Sequence, residues 1–365
     1  MLSGGFNKMY RVENIKGIDY AKAFAILGVL ILHLYLPNLY DEKVLLRLWT
    51  EVGVPIFMIV TGHNYILSYY KSKENWLSRN NLYRKLKRII IPYIYILIFE
   101  IILVFIKSDF VSYDFSKYRN IKSLFYLILI KGGIGPGSYY SPVLIQIVLI
   151  YFPLLLVFNK FLNKLIKNEY KNVISLLVIF IIEAMFEVII NYMGSIYNKN
   201  FIDNFYRMNA LRYTPFLQLG IILYNHKNQI LKNFKKILPL SIGGGVYTYL
   251  THYKDCTFPP FYYWKQVATP IMFHALFFIY IALKYFNKSN ENFFEKVIIT
   301  IGKSTYHIFL VQMVYFGMLR IQPYDKGFYY LMHILICIGA GIIFYYAEPK
   351  ITKKLELFIK RRVVV

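Results

Sequence analysis

The chain has 365 residues, 57% of them hydrophobic and 19% aromatic, and only 17% charged, where an ordinary soluble domain carries about a quarter. The net charge is +24, but the basic residues lie in the gaps between long apolar runs, which assigns them to membrane flanks rather than to nucleic-acid binding. Runs of this length satisfy their backbone in lipid only as helices and are too continuous for barrel strands, so the expected fold class is all-α, a polytopic helical membrane protein.

Ten apolar segments follow in chain order, at about 16–37, 50–70, 88–107, 139–158, 172–193, 208–225, 236–251, 267–286, 303–320 and 328–347. Each is near the ~20 residues that a crossing helix needs. Ser123–Ile130 is apolar but too short to cross and is expected to be re-entrant or interfacial. The intervening gaps alternate between two sides. One side, with both termini, carries more than twice the Lys and Arg of the other and is therefore expected to be cytoplasmic, in a multi-pass plasma-membrane protein. No cleavable signal peptide is expected, because the first apolar run is long and lacks a small-residue cleavage pattern. The pattern predicts a single membrane domain over 1–365, with its core at about 16–347 and no separate soluble domain.

The first segment is the most informative. It carries Asp19, Lys22 and His33 inside an apolar helix. Lys22 and His33 are eleven positions apart, about three turns, which returns them to within about 20° of one another on one face and separates them by roughly 16 Å along the axis. Asp19 lies about 60° from Lys22 on the same stripe and is placed to pair with it. Asp19 and Lys22 also read as ordinary flanking charges, and His33 as a buried polar residue bonded to a neighbour. An ionisable side chain well inside a span is costly, however, and a neutral imidazole near pH 7 can take a proton as a general base.

Further along, Arg79, Arg84, Lys85, Lys87 and Arg88 lead into Ile89–Tyr93. Positive-inside topology and anionic lipid headgroups account for several of these charges. Arg84 and Arg88 share a face if the helix begins early, and paired guanidiniums can clamp phosphates. In Gly53–Tyr65, Pro55 and Gly62 loosen the helix and favour close packing, and His63 reads either as a core histidine or as a pocket residue. Glu100, Gln146, Glu183, Glu187, Arg212 and Gln312 are isolated polar residues in apolar runs, for which interhelical hydrogen bonding is the competing reading; Glu183 and Glu187 fall on one helix face. Cys256 and Cys337 are far apart and form neither a disulfide framework nor a metal pattern. There is no nucleophile elbow, HExxH or P-loop in a fitting context, and no metal is expected.

Taken together these segments resemble the acyltransferase-3 family of integral membrane O-acyltransferases, from Lys16 to about Tyr346. The matching segments are Asp19-x-x-Lys22-x10-His33, the VPIFMIVTGHNY segment from Val54 to Tyr65, Arg84-x3-Arg88 running into Pro92-Tyr93, RYTPFLQLG from Arg212 to Gly220, and GKSTYHIFLVQ from Gly302 to Gln312. The family's frequent HLW segment entering the fourth span is replaced by GSYYSPVLIQ, Gly137 to Gln146, and Gln312 stands where a His is common. The resemblance implies transfer of an acyl group, most often acetyl from acetyl-CoA, to a hydroxyl of a cell-surface or lipid-linked carbohydrate. Acyl-CoA would be a donor substrate and not a resident cofactor. It implies a catalytic set of His33, Asp19 and Lys22, and acyl-CoA binding by Arg84, Arg88 and Lys85. His63, Arg212, Gln146 and Gln312 become candidate pocket residues. The partners expected are acyl-CoA, the glycan acceptor and membrane lipids, with no nucleic acid. A multi-pass transporter or flippase of a lipid-linked glycan is the competing class, since it also uses broken helices and buried charges. No repeated pair of interrupted helices supports it, and transport gives a nucleotide-handling Arg pair no task.

Overall fold

In its described residues, each of the ten apolar segments is largely helical. The structure is a computed structural model and describes residues 16–34, 44–72, 75–105, 120–166, 170–265, 269–287, 292–318 and 327–363. Both termini, and the predicted span ends at 35–37, 106–107, 267–268 and 319–320, lie outside the described residues. The helices are α1 (Lys16–His33), α2 (Val44–Thr50), α3 (Gly53–Lys71), α4 (Arg79–Phe105), α5 (Ile121–Tyr126), α6 (Tyr140–Gln146), α7 (Phe152–Leu165), α8 (Lys171–Ile196), α9 (Lys199–Met208), α10 (Thr214–Lys232), α11 (Phe234–Thr248), α12 (Ile271–Tyr285), α13 (Phe293–Met318) and α14 (Gly327–Val363). A π-turn at Leu127–Lys131 prolongs α5, one at Ile147–Tyr151 joins α6 to α7, and one at Tyr249–Tyr253 ends α11.

Among the described residues, six helical stretches are long and apolar enough to cross a membrane: Val44–Lys71, Arg79–Phe105, Tyr140–Leu165, Lys171–Ile196, Phe293–Gly317 and Tyr329–Ile359. The expected count of about ten is not reached on length and composition. The described part of α1 has 18 residues and α12 has 15. α10 kinks at His226, and α11 carries Pro239 within it.

The core is built where helix backbones touch. α1 packs against α2, α3, α12 and α13. Three glycines permit this: Gly17 lies on the Ala282–Leu283 backbone, Gly53 on Ala25 and Val29, and Gly302 on the backbone of Asp19. A second close approach joins α3 to α10, where Gly62 meets Leu217 and Gly220 meets Ile59 and His63. Small residues let helices approach where lipid supplies no hydrophobic drive between them. Ile26, Leu30, Ile56, Met58 and Ile59 fill the interior beside these crossings.

The short segment after α4, on the stretch expected to be re-entrant or interfacial, is helical over 121–131 and leads into a loop packed on the bundle. Asn120 caps α5 by accepting from the Lys122 amide at 3.0 Å. The chain then reverses at Gly132 and Gly133, whose φ angles of 73° and 128° favour glycine. The loop backbone is held by three side chains. Tyr93 donates to the Gly132 carbonyl at 2.7 Å, the Ile134 amide donates to Glu100 at 3.2 Å, and Gln312 donates to the Pro136 carbonyl at 3.1 Å. Irregular backbone packed against apolar helices needs protein partners of this kind.

Candidate functional site

Asp19 and Lys22 sit one turn apart on an unbroken helix and form an ion pair at 2.6 Å. One turn earlier, Lys16 pairs with Glu295 on α13 at 3.2 Å. The Gly302 crossing draws α13 onto α1 at Asp19, which brings Lys303 to the same place. The Gly62–Gly220 crossing sets the depth of His63 on α3. His63 is buried, with Nδ1 3.2 Å from Asn64 Oδ1 and its ring edge-on to Tyr224. Its Nε2 is buried and has no hydrogen-bond partner among the described residues.

These side chains surround a cavity of about 220 Å³, lined by Ile18, Asp19, Lys22, His63, Asn64, Leu67 and Lys303. A second cavity of about 230 Å³ shares Lys22 and Asn64 with the first. Its polar wall is Arg88, Thr61, Thr305 and Tyr306, and its remaining lining includes Phe57, Tyr140, Leu144 and Phe309. The Tyr306 hydroxyl is fixed 3.0 Å from both the Ile89 carbonyl and the Ser141 hydroxyl. Tyr140 packs on Phe309 at 4.8 Å and on Phe57 at 6.4 Å between ring centres, and the backbone of Gly137 lies against the Phe309 ring. The pair of cavities thus runs from a cationic opening to an aromatic interior, a shape suited to a ligand with an anionic head and a less polar arm.

The expected site residues separate. Asp19, Lys22, His63 and Arg88 come together around the two cavities. His33 does not join them. It is the last residue of α1, half-buried, lines neither cavity and has no hydrogen-bond partner among the described residues. α4 does begin early, at Arg79, so Arg84 and Arg88 share a face. Of the two exposed arginines only Arg88 lines one of these cavities, while Arg84 is bonded to the Asn81 side chain. Lys85 turns away and stacks over Trp76 at 3.9 Å.

The remaining three candidates line neither cavity. Gln146 donates to the Met208 carbonyl at 2.6 Å and accepts from the Ala210 amide at 3.2 Å, strapping the turn before α10. Gln312 holds the loop at Pro136. Arg212 is buried, lies over Tyr206 at 4.2 Å and Tyr213 at 5.0 Å, and interacts with Glu187. Asn64, Lys303, Thr305 and Tyr306 also line the cavities, and residue type and spacing alone do not mark them out. Lys303, Thr305 and Tyr306 carry a signal, since they belong to the GKSTY segment. No cluster of three or more His, Cys, Asp or Glu able to hold a metal occurs among the described residues.

Membrane-length helices around two cavities that share Lys22 and Asn64 define a helical membrane protein. A family model described as an acyltransferase domain, Acyl_transf_3, matches residues 15–347, nearly the whole chain, and the protein belongs to that family of membrane acyltransferases. No curated protein and no solved structure matches it.

Proposed function

We propose that this acyltransferase takes an acyl group, acetyl in the first instance, from acyl-CoA and transfers it to a hydroxyl of a cell-surface or lipid-linked carbohydrate. The basic end of the bundle faces the cytoplasm, and the protein resides in the plasma membrane. The observation that carries the reading is the meeting of Lys22 and Arg88 on one cavity with an aromatic interior. Arg88 offers a planar fork to the donor's diphosphate, with Arg84 one turn away on the exposed surface. Asp19 holds Lys22 at the opening.

The donor's arm then runs along the bundle. Lys22 and His33 stand roughly 16 Å apart on α1. An extended pantetheine arm, equivalent to about four residues of chain, spans roughly 14 Å. A donor anchored at Lys22 and Arg88 therefore presents its thioester near the depth of His33, at the opposite end of the helix. There the His33 imidazole takes the proton of the acceptor hydroxyl as its oxygen attacks the thioester carbonyl. The C–S bond breaks, the new ester forms, and the imidazolium returns its proton to the departing thiolate. Enclosure in the bundle keeps water from the thioester.

The test is transfer of labelled acetyl from acetyl-CoA by membranes carrying the protein, compared with His33→Ala at equal expression. Label appearing in a glycan or lipid fraction and lost in the variant is expected. Undiminished transfer by His33→Ala would remove His33 as the base.

A further inference from the structure

Arg88 and Lys22 account for one end of the donor, yet the first cavity has polar groups that this leaves unused. Asp19 and Lys22 largely neutralise each other at 2.6 Å. What remains is Lys303, for which no ion pair is formed among the described residues, and His63, whose buried Nε2 has no hydrogen-bond partner there. Both residues line the same 220 Å³ space, with Asn64 beside them, and Nε2 itself is covered. A buried imidazole nitrogen without a partner is costly unless a ligand or water completes it. Its surroundings are not neutral, because Lys303 leaves the cavity with an excess of positive charge. The Asp19 carboxylate also lines the space, and its pairing with Lys22 is what makes an anion admissible there.

We infer that the His63–Lys303 cavity is a subsite for a phosphate monoester, and that its occupant is the ribose 3′-phosphate of the CoA donor. The inference rests on the acyl-CoA reading and adds a specificity to it. The cavity adjoins the one that takes the arm, sharing Lys22 and Asn64 with it, so one ligand can occupy both. Lys303 Nζ donates to the phosphate as a mobile point charge. His63 donates from Nε2 once its ring turns that nitrogen to the cavity and the Asn64 side chain flips to present its NH2, in place of Oδ1, to Nδ1; the two orientations of that amide are equivalent in shape. A donor carrying its thioester on phosphopantetheine alone, such as an acyl carrier protein, lacks this phosphate and leaves the subsite unfilled.

The experiment compares acetyl-CoA with 3′-dephospho-acetyl-CoA as donors for the full-length protein in membranes. It is made for the wild type, His63→Phe and Lys303→Met. Lys303 is solvent-exposed, so its substitution leaves folding intact if the buried His63 change does not. Charge-assisted hydrogen bonds of this kind predict a wild-type preference for acetyl-CoA of roughly tenfold to a hundredfold in kcat/KM. The preference is expected to collapse toward unity in each variant that folds, and Lys303→Arg is expected to retain it. A wild-type ratio near one, or a ratio unchanged in Lys303→Met, would overturn the subsite. Loss of the ratio with added phosphatidic acid, and not with inorganic phosphate, would reassign the site to a lipid headgroup and overturn the donor assignment. Absence of transfer from either donor by the wild type would overturn the acyl-CoA reading itself.

Discussion

Two regions of this bundle bury charge, and they do so to opposite ends. Around α1 and α3, Asp19, Lys22 and His63 border open space beside the exposed Arg88, and His63 Nε2 is left without a bond. Around α8 and α10 the charges line neither cavity. Glu183 accepts from Trp264 at 3.1 Å and from Thr269 at 2.7 Å, and Arg212 is enclosed between Tyr206 and Tyr213. Burial of an ionisable side chain therefore does not by itself separate a site from a structural network. Adjacent volume does, because a ligand needs space beside the groups it is to contact.

The comparison sharpens first at Arg212. Removing it strands Glu183 and Glu187 in the interior, so Arg212→Leu is expected to cost about 3–5 kcal/mol and to lower the thermal melting midpoint and yield together. A variant that melts like the wild type but cannot bind donor would instead place Arg212 in the site. Arg88→Ala should behave in the reverse manner. Its melting midpoint should be unchanged, because the side chain is exposed, while donor binding weakens by about 1.5–3 kcal/mol. Gly302→Ala tests the crossing that assembles the cavity. A Cβ there collides with the Asp19 backbone, and overpacking of this kind costs roughly 1–3 kcal/mol, read as a lower midpoint together with weaker donor binding. The smallest effect is expected at the Lys87–Glu356 pair, whose side chains are 33% and 46% exposed. Glu356→Gln should shift stability by less than about 1 kcal/mol, measured by the same melting assay.

Much of this was legible in the sequence, for reasons that differ by feature. Hydropathy fixed the helices because lipid admits few alternatives, and all ten apolar segments are largely helical in their described residues. Helical periodicity placed Asp19 on the stripe of Lys22, and the two are paired. It also put Glu183 and Glu187 on one face, and both lie within reach of Arg212. What periodicity does not encode is which helices touch and at what depth. Lys85 was grouped with its arginine neighbours, yet a residue from the preceding loop, Trp76, captures it. Gln146 looked like a pocket residue, and its two amide atoms are spent on the turn at 208–210. His63 and Lys303 meet only because Gly62 and Gly302 allow two separate crossings, a coincidence of packing that no local pattern announces.

The most direct test of the account is binding of acetyl-CoA to the purified protein, measured side by side for wild type, Arg88→Ala and Arg84→Ala. The account predicts saturable binding that weakens roughly tenfold or more in Arg88→Ala and much less in Arg84→Ala, since only Arg88 lines the cavity. Equal binding by all three proteins, or weakening confined to Arg84→Ala, would contradict the placement of the donor.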